Sequence, residues 1–354
     1  MIRRILLLIL LCIFSSVYAD MISRELLVKE LDNLQQEEPF IIRNFSPFEM
    51  AHQTEAISYG CYRRGQAPGR QGPSKEDIRQ DLEIISQYWE LIRVYNADVD
   101  TERILEVIAE NKLPLKMMLG VWLENEDNDP AKKEMNITNT LYSIKLAQRY
   151  PDIIKAVNVG NETQVFWSGH KVVTKDLIKY IRAVRKNTQL PVTTADDYNF
   201  WNKQESKAVA LEIDFIVTHI YPLWNGKKLN ESIAWLDSNY DIITELHPDK
   251  LVVLGEIGWA TDYNPTKKGP GEQGTLIKGE VSLRAQESFL SELNAWSTQN
   301  GVITFWFEAF NEPWKGGGEA SGPNEIEKNW GVYYEDRTPK KSFSNYLKHN
   351  AKTK

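Results

Sequence analysis

The chain has 354 residues, and removal of an expected signal segment of 19 residues would leave 354 − 19 = 335, with a net charge of 40 − 49 = −9. This length lies within the roughly 200 to 400 residues that a single barrel domain occupies. An acidic surface argues against nucleic acid or anionic lipid as a partner and suits a neutral polysaccharide or oligosaccharide. Cys61 would be the sole remaining cysteine, so an intrachain disulfide is excluded. The five histidines lack metal-ligand spacing, and we predict neither metal nor cofactor.

Residues 1–19 have the pattern of a secretory signal peptide. Arg3 and Arg4 precede an apolar run from Ile5 to Phe14, and the segment ends at the small residue Ala19. The alternative, an uncleaved membrane anchor, is disfavoured because the run is well short of the roughly 20 residues that a bilayer span needs. We therefore expect an exported protein, periplasmic or secreted, that is a monomer without a membrane span in its mature form.

Short apolar runs alternate with segments of helical periodicity, a pattern that predicts parallel strands joined by helices. The eight predicted strands are Ala56–Tyr59, Leu91–Tyr95, Leu115–Trp122, Ile154–Gly160, Val192–Ala195, Phe215–Tyr221, Leu251–Leu254 and Val302–Phe307. Eight strands with intervening helices predict an α/β fold, a closed (β/α)8 TIM barrel that forms a single catalytic domain over residues 56–350. An open doubly wound sheet is the alternative.

Three helices have clear sequence signals. Ser74 and Asp77 form a predicted capping box at the start of the first, and Thr174 begins another. Gln286–Trp296 has the same spacing of apolar residues.

Two kinds of segment fall outside the alternation. Residues 20–55 are predicted to be an N-terminal extension that packs on the barrel, with a short helix at Arg24–Leu34 and an extended lead-in at Phe40–Phe48. Residues 124–136 and 262–282, rich in charge, Gly and Pro, are predicted to be long loops over one end.

The carboxyl ends of barrel strands are where active sites form. The fourth run closes as Val159-Gly160-Asn161-Glu162 and the seventh as Leu254-Gly255-Glu256. A single such glutamate would be an ordinary loop acid. Two at equivalent positions, with aromatic neighbours, favour a catalytic pair.

Acetal cleavage explains the need for two acids, since one protonates the leaving oxygen while the other attacks or assists at the anomeric carbon. In retaining enzymes the two carboxyl groups stand about 5 to 5.5 Å apart. Aromatic rings at the same rim offer flat faces to sugars, although we expect about half of them to be buried. The candidates are Trp122, Trp167, Tyr221, Trp224, Trp259, Trp306 and Trp314.

At these residues the sequence resembles glycoside hydrolase family 17, the β-1,3-glucanase family of a retaining (β/α)8-barrel clan. The likeness runs from about Ala56 to Tyr346. The motifs that carry it are Ile57-Ser58-Tyr59-Gly60, Ile92-Arg93-Val94-Tyr95, Val159-Gly160-Asn161-Glu162, Ile220-Tyr221-Pro222, Gly255-Glu256-Ile257-Gly258-Trp259, Phe310-Asn311-Glu312-Pro313-Trp314-Lys315 and Glu327-Lys328-Asn329-Trp330-Gly331-Val332-Tyr333. The stretch Tyr62-Arg63-Arg64-Gly65-Gln66 is similar to bacterial members.

The resemblance implies a role for each site residue, with Glu162 as acid/base and Glu256 as nucleophile. Asn161 is expected to hold the sugar 2-hydroxyl, and Arg93 and Tyr221 to bond the nucleophile and keep it ionised. Further sugar contacts are expected from Tyr59, Trp122, Asp196 or its neighbour Asp197, Trp259, Glu312, Lys315 and Glu327. Plainer alternatives are a structural ion pair for Arg93 and a solvated helix acid for Glu327.

Two features qualify the resemblance. Glu308 is the rival acid, but its position in an aromatic run indicates a buried supporting group. Ile257 stands where many family members carry Thr.

Three functions are compatible with these residues. The first is retaining hydrolysis of a β-1,3-glucan such as laminarin, by double displacement through a covalent glycosyl-enzyme. The second is transglycosylation on the same acids, and the third is non-catalytic glucan binding. The intact pair of Glu162 and Glu256 favours catalysis.

Overall fold

Eight parallel strands close into a barrel in the computed structural model of the chain, which describes residues 22–48, 53–265 and 275–350. The strands are β1 (Glu55–Ser58), β2 (Leu91–Arg93), β3 (Lys116–Val121), β4 (Ile154–Asn161), β5 (Val192–Asp197), β6 (Ile216–His219), β7 (Val252–Ile257) and β8 (Thr304–Trp306). Each strand pairs with the next, and β8 pairs with β1, which excludes the open doubly wound sheet. The predicted (β/α)8 barrel is confirmed.

Helices occupy the connections around the barrel. They are α1 (Arg24–Leu31), α2 (Lys75–Ile85), α3 (Val99–Asn111), α4 (Pro130–Arg149), α5 (Thr174–Asn187), α6 (Tyr198–Trp201), α7 (Lys207–Ala210), α8 (Leu229–Leu246), α9 (Leu283–Asn300) and α10 (Lys341–Asn350). The predicted capping box of Ser74 and Asp77 is present at the start of α2. Among the described residues, every helix is too short or too polar to cross a membrane. The predicted signal peptide, residues 1–19, lies outside the described residues.

Side-chain alternation along the strands builds two apolar layers. One cluster fills the barrel interior and includes Ala56, Leu91, Met118, Ala156, Ala195, Val217, Val253 and Phe305. The other lies between strands and helices and includes Ile57, Ile92, Met117, Leu119, Val157, Ile216 and Leu254. Since residues two apart in a strand share a face, Arg93 after Leu91 and His219 after Val217 continue the interior row. That row ends at the carboxyl-terminal face of the barrel.

The predicted loop at residues 124–136 is wrong in its second half, because α4 begins at Pro130. Asp129 is the N-cap and its carboxylate accepts hydrogen bonds from the backbone N–H groups of Ala131 and Lys132. Pro at the first helical position and Asp before it are a helix start signal. The run of charges that suggested a loop begins a helix of 20 residues.

The N-terminal segment covers the opposite end of the barrel from the strand carboxyl termini. Helix α1 packs against α4 and α5. Farther along the extension, the Phe45 ring stacks on the ring of Phe215, which is the residue directly before β6. The two ring centroids are 4.4 Å apart. The described part of the extension therefore closes the amino-terminal end and leaves the carboxyl-terminal face open.

A buried ionic cluster joins α2 to the segment before α10. The Asp81 side chain is fully buried and accepts two hydrogen bonds from Arg337, at 2.8 and 2.7 Å. Arg63 donates to the same carboxylate at 2.7 Å, and the Tyr59 hydroxyl also donates to it at 3.1 Å. A buried carboxylate with this many donors fixes the last part of the chain against the first βα unit.

Asp81→Ala is expected to lower the free energy of unfolding by about 3–5 kcal/mol, because it leaves a buried guanidinium without its counter-charge. Arg79 is the matched control, since it lies on the same helix and pairs with Glu76 and Glu83 at the surface. Arg79→Ala should cost no more than about 1 kcal/mol. Chemical denaturation measures both, and equal losses would contradict the assignment.

Candidate active site

Two irregular strand ends bring Glu162 and Glu256 to the centre of the carboxyl-terminal face. The pairing of β7 shifts in register against both neighbouring strands near Glu256. A Cβ at Gly255 would lie 2.2 Å from Val217 Cγ1, so only glycine fits beside β6 at this point. Such irregularities turn a side chain away from the face that regular alternation would give it. Glu256 lies within β7 rather than after it, and it reaches the cavity in this way.

Glu162 reaches the same place by a different backbone device. It follows β4 directly and has a φ of +50°, in the left-handed region that side chains other than glycine rarely adopt. Gly160 has a φ of +82°, and the pairing of β4 with β5 is irregular between Asn158 and Asn161. A non-glycine residue in this region is strained, and such strain is concentrated at functional sites.

The two carboxylates are close, and His219 lies between them. Carboxylate oxygens of Glu162 and Glu256 and a ring nitrogen of His219 all lie within 4.8 Å of one another. His219 Nδ1 is 3.0 Å from Glu162 Oε1, and Nε2 is 3.5 Å from Glu256 Oε1. The imidazole therefore sets the spacing of the acids.

The surroundings of Glu256 favour its ionised form. Burial acts to raise its pKa, but the Arg93 guanidinium and the hydrogen bond from the Tyr221 hydroxyl lower it. Arg93 Nη1 donates to Oε1 at 2.6 Å and the Tyr221 hydroxyl donates to Oε2 at 2.8 Å. Burial lowers the pKa of His219 to about 4, so the imidazole is neutral at pH 7 and Arg93 supplies the permanent positive charge.

The surroundings of Glu162 favour its protonated form. Burial raises its pKa well above the usual value, and the negative charges of Glu256 and Asp197 raise it further. Arg93 acts in the opposite direction but does not reverse the shift. Two neighbouring carboxyl groups with pKa values displaced in opposite directions are an acid and base pair.

The same three side chains are close enough to hold a divalent ion. However, Arg93 already occupies Glu256 Oε1 at 2.6 Å, and a cation beside it would meet this guanidinium. Metal binding would also require Glu162 to lose its proton. We therefore retain the expectation that the site takes no metal.

Asn161 completes the central group. Its Oδ1 accepts from Arg93 Nη2 at 2.6 Å, so its amide N–H groups are the part left to face a ligand. Arg93 itself is fully buried and also donates to the backbone oxygen of Gly255 at 3.0 Å. Arg93 therefore holds Asn161 and Glu256 in place and does not contact a sugar itself.

A cavity of about 1070 Å³ opens above these residues. Its walls include both glutamates and several aromatic side chains. The lining residues are Glu162, Phe166, Trp167, Asp197, Asn199, Tyr221, Trp224, Asn225, Gly226, Glu256, Thr275, Leu276, Lys278, Phe307 and Glu327. Burial raises the pKa of Glu327 to about 7. A cavity of this size can hold a ligand larger than one sugar, with both acids on its wall.

Four of the predicted sugar contacts are side chains that the structure buries. Tyr59 is 1% exposed, and its hydroxyl bonds Asp81. Trp259 is fully buried, packs on Phe289 and donates from its indole N–H to the Glu280 backbone. The side chains of Tyr59 and Trp259 therefore belong to the core rather than to the rim.

The other two buried side chains are acids with partners inside the protein. The Asp196 carboxylate is fully buried and accepts from backbone N–H groups, whereas the next residue, Asp197, lines the cavity. Glu312 is 2% exposed and bonds Lys315 at 2.6 Å and the Trp314 indole at 2.9 Å. Neither carboxylate is among the residues that line the cavity, and sugar contacts from these four residues stay predictions.

Three further predictions have intermediate outcomes. Lys315 bridges Glu312 to Glu308, and Glu308 is 1% exposed, as expected for a supporting group. Trp122 is half-buried and stacks on His170, with ring centroids 4.6 Å apart. Glu327 lines the cavity. Sugar contacts from Lys315, Trp122 and Glu327 stay predictions.

His219 is the central residue that sequence reasoning missed. The five histidines were considered only as metal ligands, and their spacing gave no signal. Its position two residues before Tyr221 and two after Val217, on the inward face of β6, is the signal that indicates a place between the acids.

Glu162→Gln is expected to stabilise the protein increasingly as the pH rises above 4.5. The raised pKa means that the folded state keeps a proton that the unfolded chain releases, so wild-type stability falls as the pH rises through this window. Gln cannot ionise and is free of this loss. Each unit by which folding raises the pKa of Glu162 should give a difference of roughly 2 °C between the melting temperatures of the variant and the wild type. The measurement is the melting temperature of both proteins from pH 4 to 8. Glu245→Gln, an exposed acid on α8, is the control, and a constant difference between wild type and Glu162→Gln would contradict the shift.

Comparison with known proteins supplies an independent line. Residues 56–331 match the family model described as the BtgE/BtgC glycoside hydrolase domain. The putative glucan endo-1,3-beta-glucosidase btgC of Aspergillus niger is 31% identical over 276 residues, which cover 73% of this chain and 38% of that protein. Glucan endo-1,3-beta-glucosidase btgC of Emericella nidulans is 25% identical over 273 residues, 73% of this chain and 40% of that protein. The chain spans about two fifths of the length of these curated relatives.

Solved structures share the fold. An endo-laminarinase from Formosa Hel1_33_131 superposes with a TM-score of 0.71 and 23% identity, covering 84% of this chain and 87% of that one. A glycoside hydrolase family 17 β-1,3-glucanosyltransferase from Rhizomucor miehei superposes with a TM-score of 0.64 and 22% identity, covering 81% and 95%. Because the family model covers residues 56–331, which include the whole barrel after its first residue, the chain belongs to the BtgE/BtgC glycoside hydrolase domain family.

Proposed function

We propose that the chain is a retaining glycoside hydrolase of family 17, of the bacterial type, that cleaves β-1,3-glucan with Glu256 as nucleophile and Glu162 as acid/base. The observation that carries this proposal is the pair of carboxylates within 4.8 Å whose pKa values are displaced in opposite directions. This spacing is compatible with the short separation typical of retaining enzymes, whereas inverting enzymes need room for a water molecule.

In the first step, Glu256 attacks the anomeric carbon as a carboxylate, and Glu162 gives its proton to the glycosidic oxygen as the bond to that oxygen breaks. Arg93 and Tyr221 keep the nucleophile ionised by binding its two oxygens. Asn161 is positioned by Arg93 to offer amide N–H groups to the 2-hydroxyl. The product is a covalent glycosyl ester of Glu256 and a free leaving sugar.

In the second step the roles follow from the change in charge. Ester formation removes the negative charge of Glu256, which is one of the causes that raise the pKa of Glu162. The pKa of Glu162 therefore falls in the intermediate, and the carboxylate can take a proton from an incoming water. Water attacks the anomeric carbon, the ester breaks and Glu256 regains its charge.

The choice of β-1,3-glucan rests on the names of the relatives. The Aspergillus niger and Emericella nidulans proteins are called glucan endo-1,3-beta-glucosidases, and the solved relatives are an endo-laminarinase and a β-1,3-glucanosyltransferase. The large cavity that both acids line supports an oligosaccharide or polysaccharide substrate. Signal-like residues 1–19 support export to the periplasm or the medium, and we propose that the mature protein acts there as a monomer.

The direct test is to incubate the purified protein with laminari-oligosaccharides and with cello-oligosaccharides. We expect cleavage of the β-1,3 series, with the β-1,4 series slower by about a hundredfold or more, since a site that pairs substrate hydroxyls rejects a changed linkage strongly. Proton NMR at early times should show the β anomer first. An α anomer formed first would overturn the retaining assignment. Longer oligosaccharides as the only products would indicate a transglycosylase. Intact substrate that binds tightly would indicate a non-catalytic glucan binder.

Rescue with azide distinguishes the roles of the two glutamates. Glu162→Ala should lose roughly 10²- to 10⁴-fold on glucan, the usual worth of general acid catalysis, but much less in the first step on an aryl glycoside whose phenol leaves unaided. Azide should restore turnover of this variant and give a β-glycosyl azide.

Without azide, Glu256→Ala should be inactive on every substrate. With azide, it should give the α-glycosyl azide, because a single displacement inverts the anomeric centre. Product anomers are read by NMR. The opposite anomers, or identical behaviour of the two variants, would reverse or remove the assigned roles.

A further inference from the structure

Two large aromatic side chains are exposed beside the catalytic acid. Phe166 is 70% exposed and Trp167 is 49% exposed, and both line the cavity that contains Glu162 and Glu256. They follow Glu162 by four and five residues. Exposed aromatic surface of this kind costs free energy in water unless a ligand covers it, so its presence on a cavity wall marks a binding surface.

The loop that carries the two rings is firmly held at its base. The buried Asp196 carboxylate accepts from the backbone N–H groups of Gln164 at 2.7 Å and Val165 at 3.1 Å. The Gln164 side chain donates to the backbone oxygen of Val172 at 3.0 Å, and Val172 N–H donates to Thr163 O at 2.9 Å. The residues on both sides of the rings are thus fixed to each other and to the end of β5. A preorganised surface binds with less loss of conformational entropy.

The reaction fixes which half of the substrate meets this surface. The acid protonates the oxygen of the leaving sugar, so that sugar lies on the side of Glu162 and of the loop that begins there. Asp197 and Asn199, at the end of β5, line the same cavity and offer polar groups to sugar hydroxyls. Lys203 Nζ lies over the Phe166 ring, 5.5 Å from its centroid, and adds a polar group to this part of the wall. Together they form an aromatic face with a polar border, the combination that sugar rings require.

We propose that Phe166 and Trp167 form a platform that stacks the glucosyl residues on the leaving-group side of the cleaved bond. This inference rests on the proposed function and adds the location of a subsite to it. By microscopic reversibility the same platform binds an acceptor sugar after the leaving group has departed. Its occupancy therefore places a sugar hydroxyl, instead of water, near the anomeric carbon of the glycosyl-enzyme.

The test compares two substrates in the double variant Phe166→Ala/Trp167→Ala. Laminarihexaose extends to both sides of the acids, whereas β-laminaribiosyl fluoride releases only fluoride and leaves the platform empty. We expect kcat/KM on the hexaose to fall about 10- to 100-fold, the worth of two aromatic stacking contacts. On the fluoride kcat/KM should stay within about twofold of wild type, because the catalytic acids and Arg93 are untouched.

Leu211→Ala is the matched control, since Leu211 is 63% exposed and is absent from the residues that line the cavity. It should change neither value. Equal losses on both substrates, or an unchanged value on the hexaose, would overturn the platform while leaving the proposed function intact. A wild-type protein inactive on both substrates would overturn the proposed function and the platform with it.

Discussion

The site depends on one buried charge. The Arg93 guanidinium is fully buried in the barrel, where an unpaired cation would be prohibitively costly. Its partners come from separate strands: Glu256 and the Gly255 backbone from β7, and Asn161 from β4. The cation lowers the pKa of Glu256, and the resulting carboxylate adds to the burial that raises the pKa of Glu162. The arginine that β2 places here therefore influences the protonation of both acids.

A closed parallel barrel brings these groups together, but regular strands alone do not. Side-chain alternation accounts for Arg93 and His219, which extend the interior rows of β2 and β6. Glu256 departs from the alternation through the register shift of β7, and Glu162, which follows β4, is oriented by its own left-handed φ. Local irregularity at the ends of otherwise regular strands is tolerated because the barrel pairing holds the rest of each strand.

The sequence predicts the fold well because parallel strands and amphipathic helices have different periodicities, and all eight strands lie where the apolar runs are. Glu162, Glu256 and Asn161 could also be placed, since each stands at the end of such a run. Burial was harder to predict. Trp259 looks like a rim residue by position, but its partners Phe289 and Glu280 come from α9 and the segment before it. Sequence order alone does not reveal such distant contacts, nor does it reveal His219 between the acids.

Asp196 and Asp197 show how adjacent acids acquire separate roles. They end the same strand and point to opposite faces, so the first binds backbone N–H groups of the loop after β4 while the second faces the cavity. There Asp197 joins Glu256 and Glu327 among the negative charges that raise the pKa of Glu162. A neutral sugar leaves this balance intact when it binds, whereas a charged ligand would shift the pKa of both catalytic acids. The protonation of Glu162, which depends on burial and on neighbouring carboxylates, is therefore compatible with an uncharged ligand.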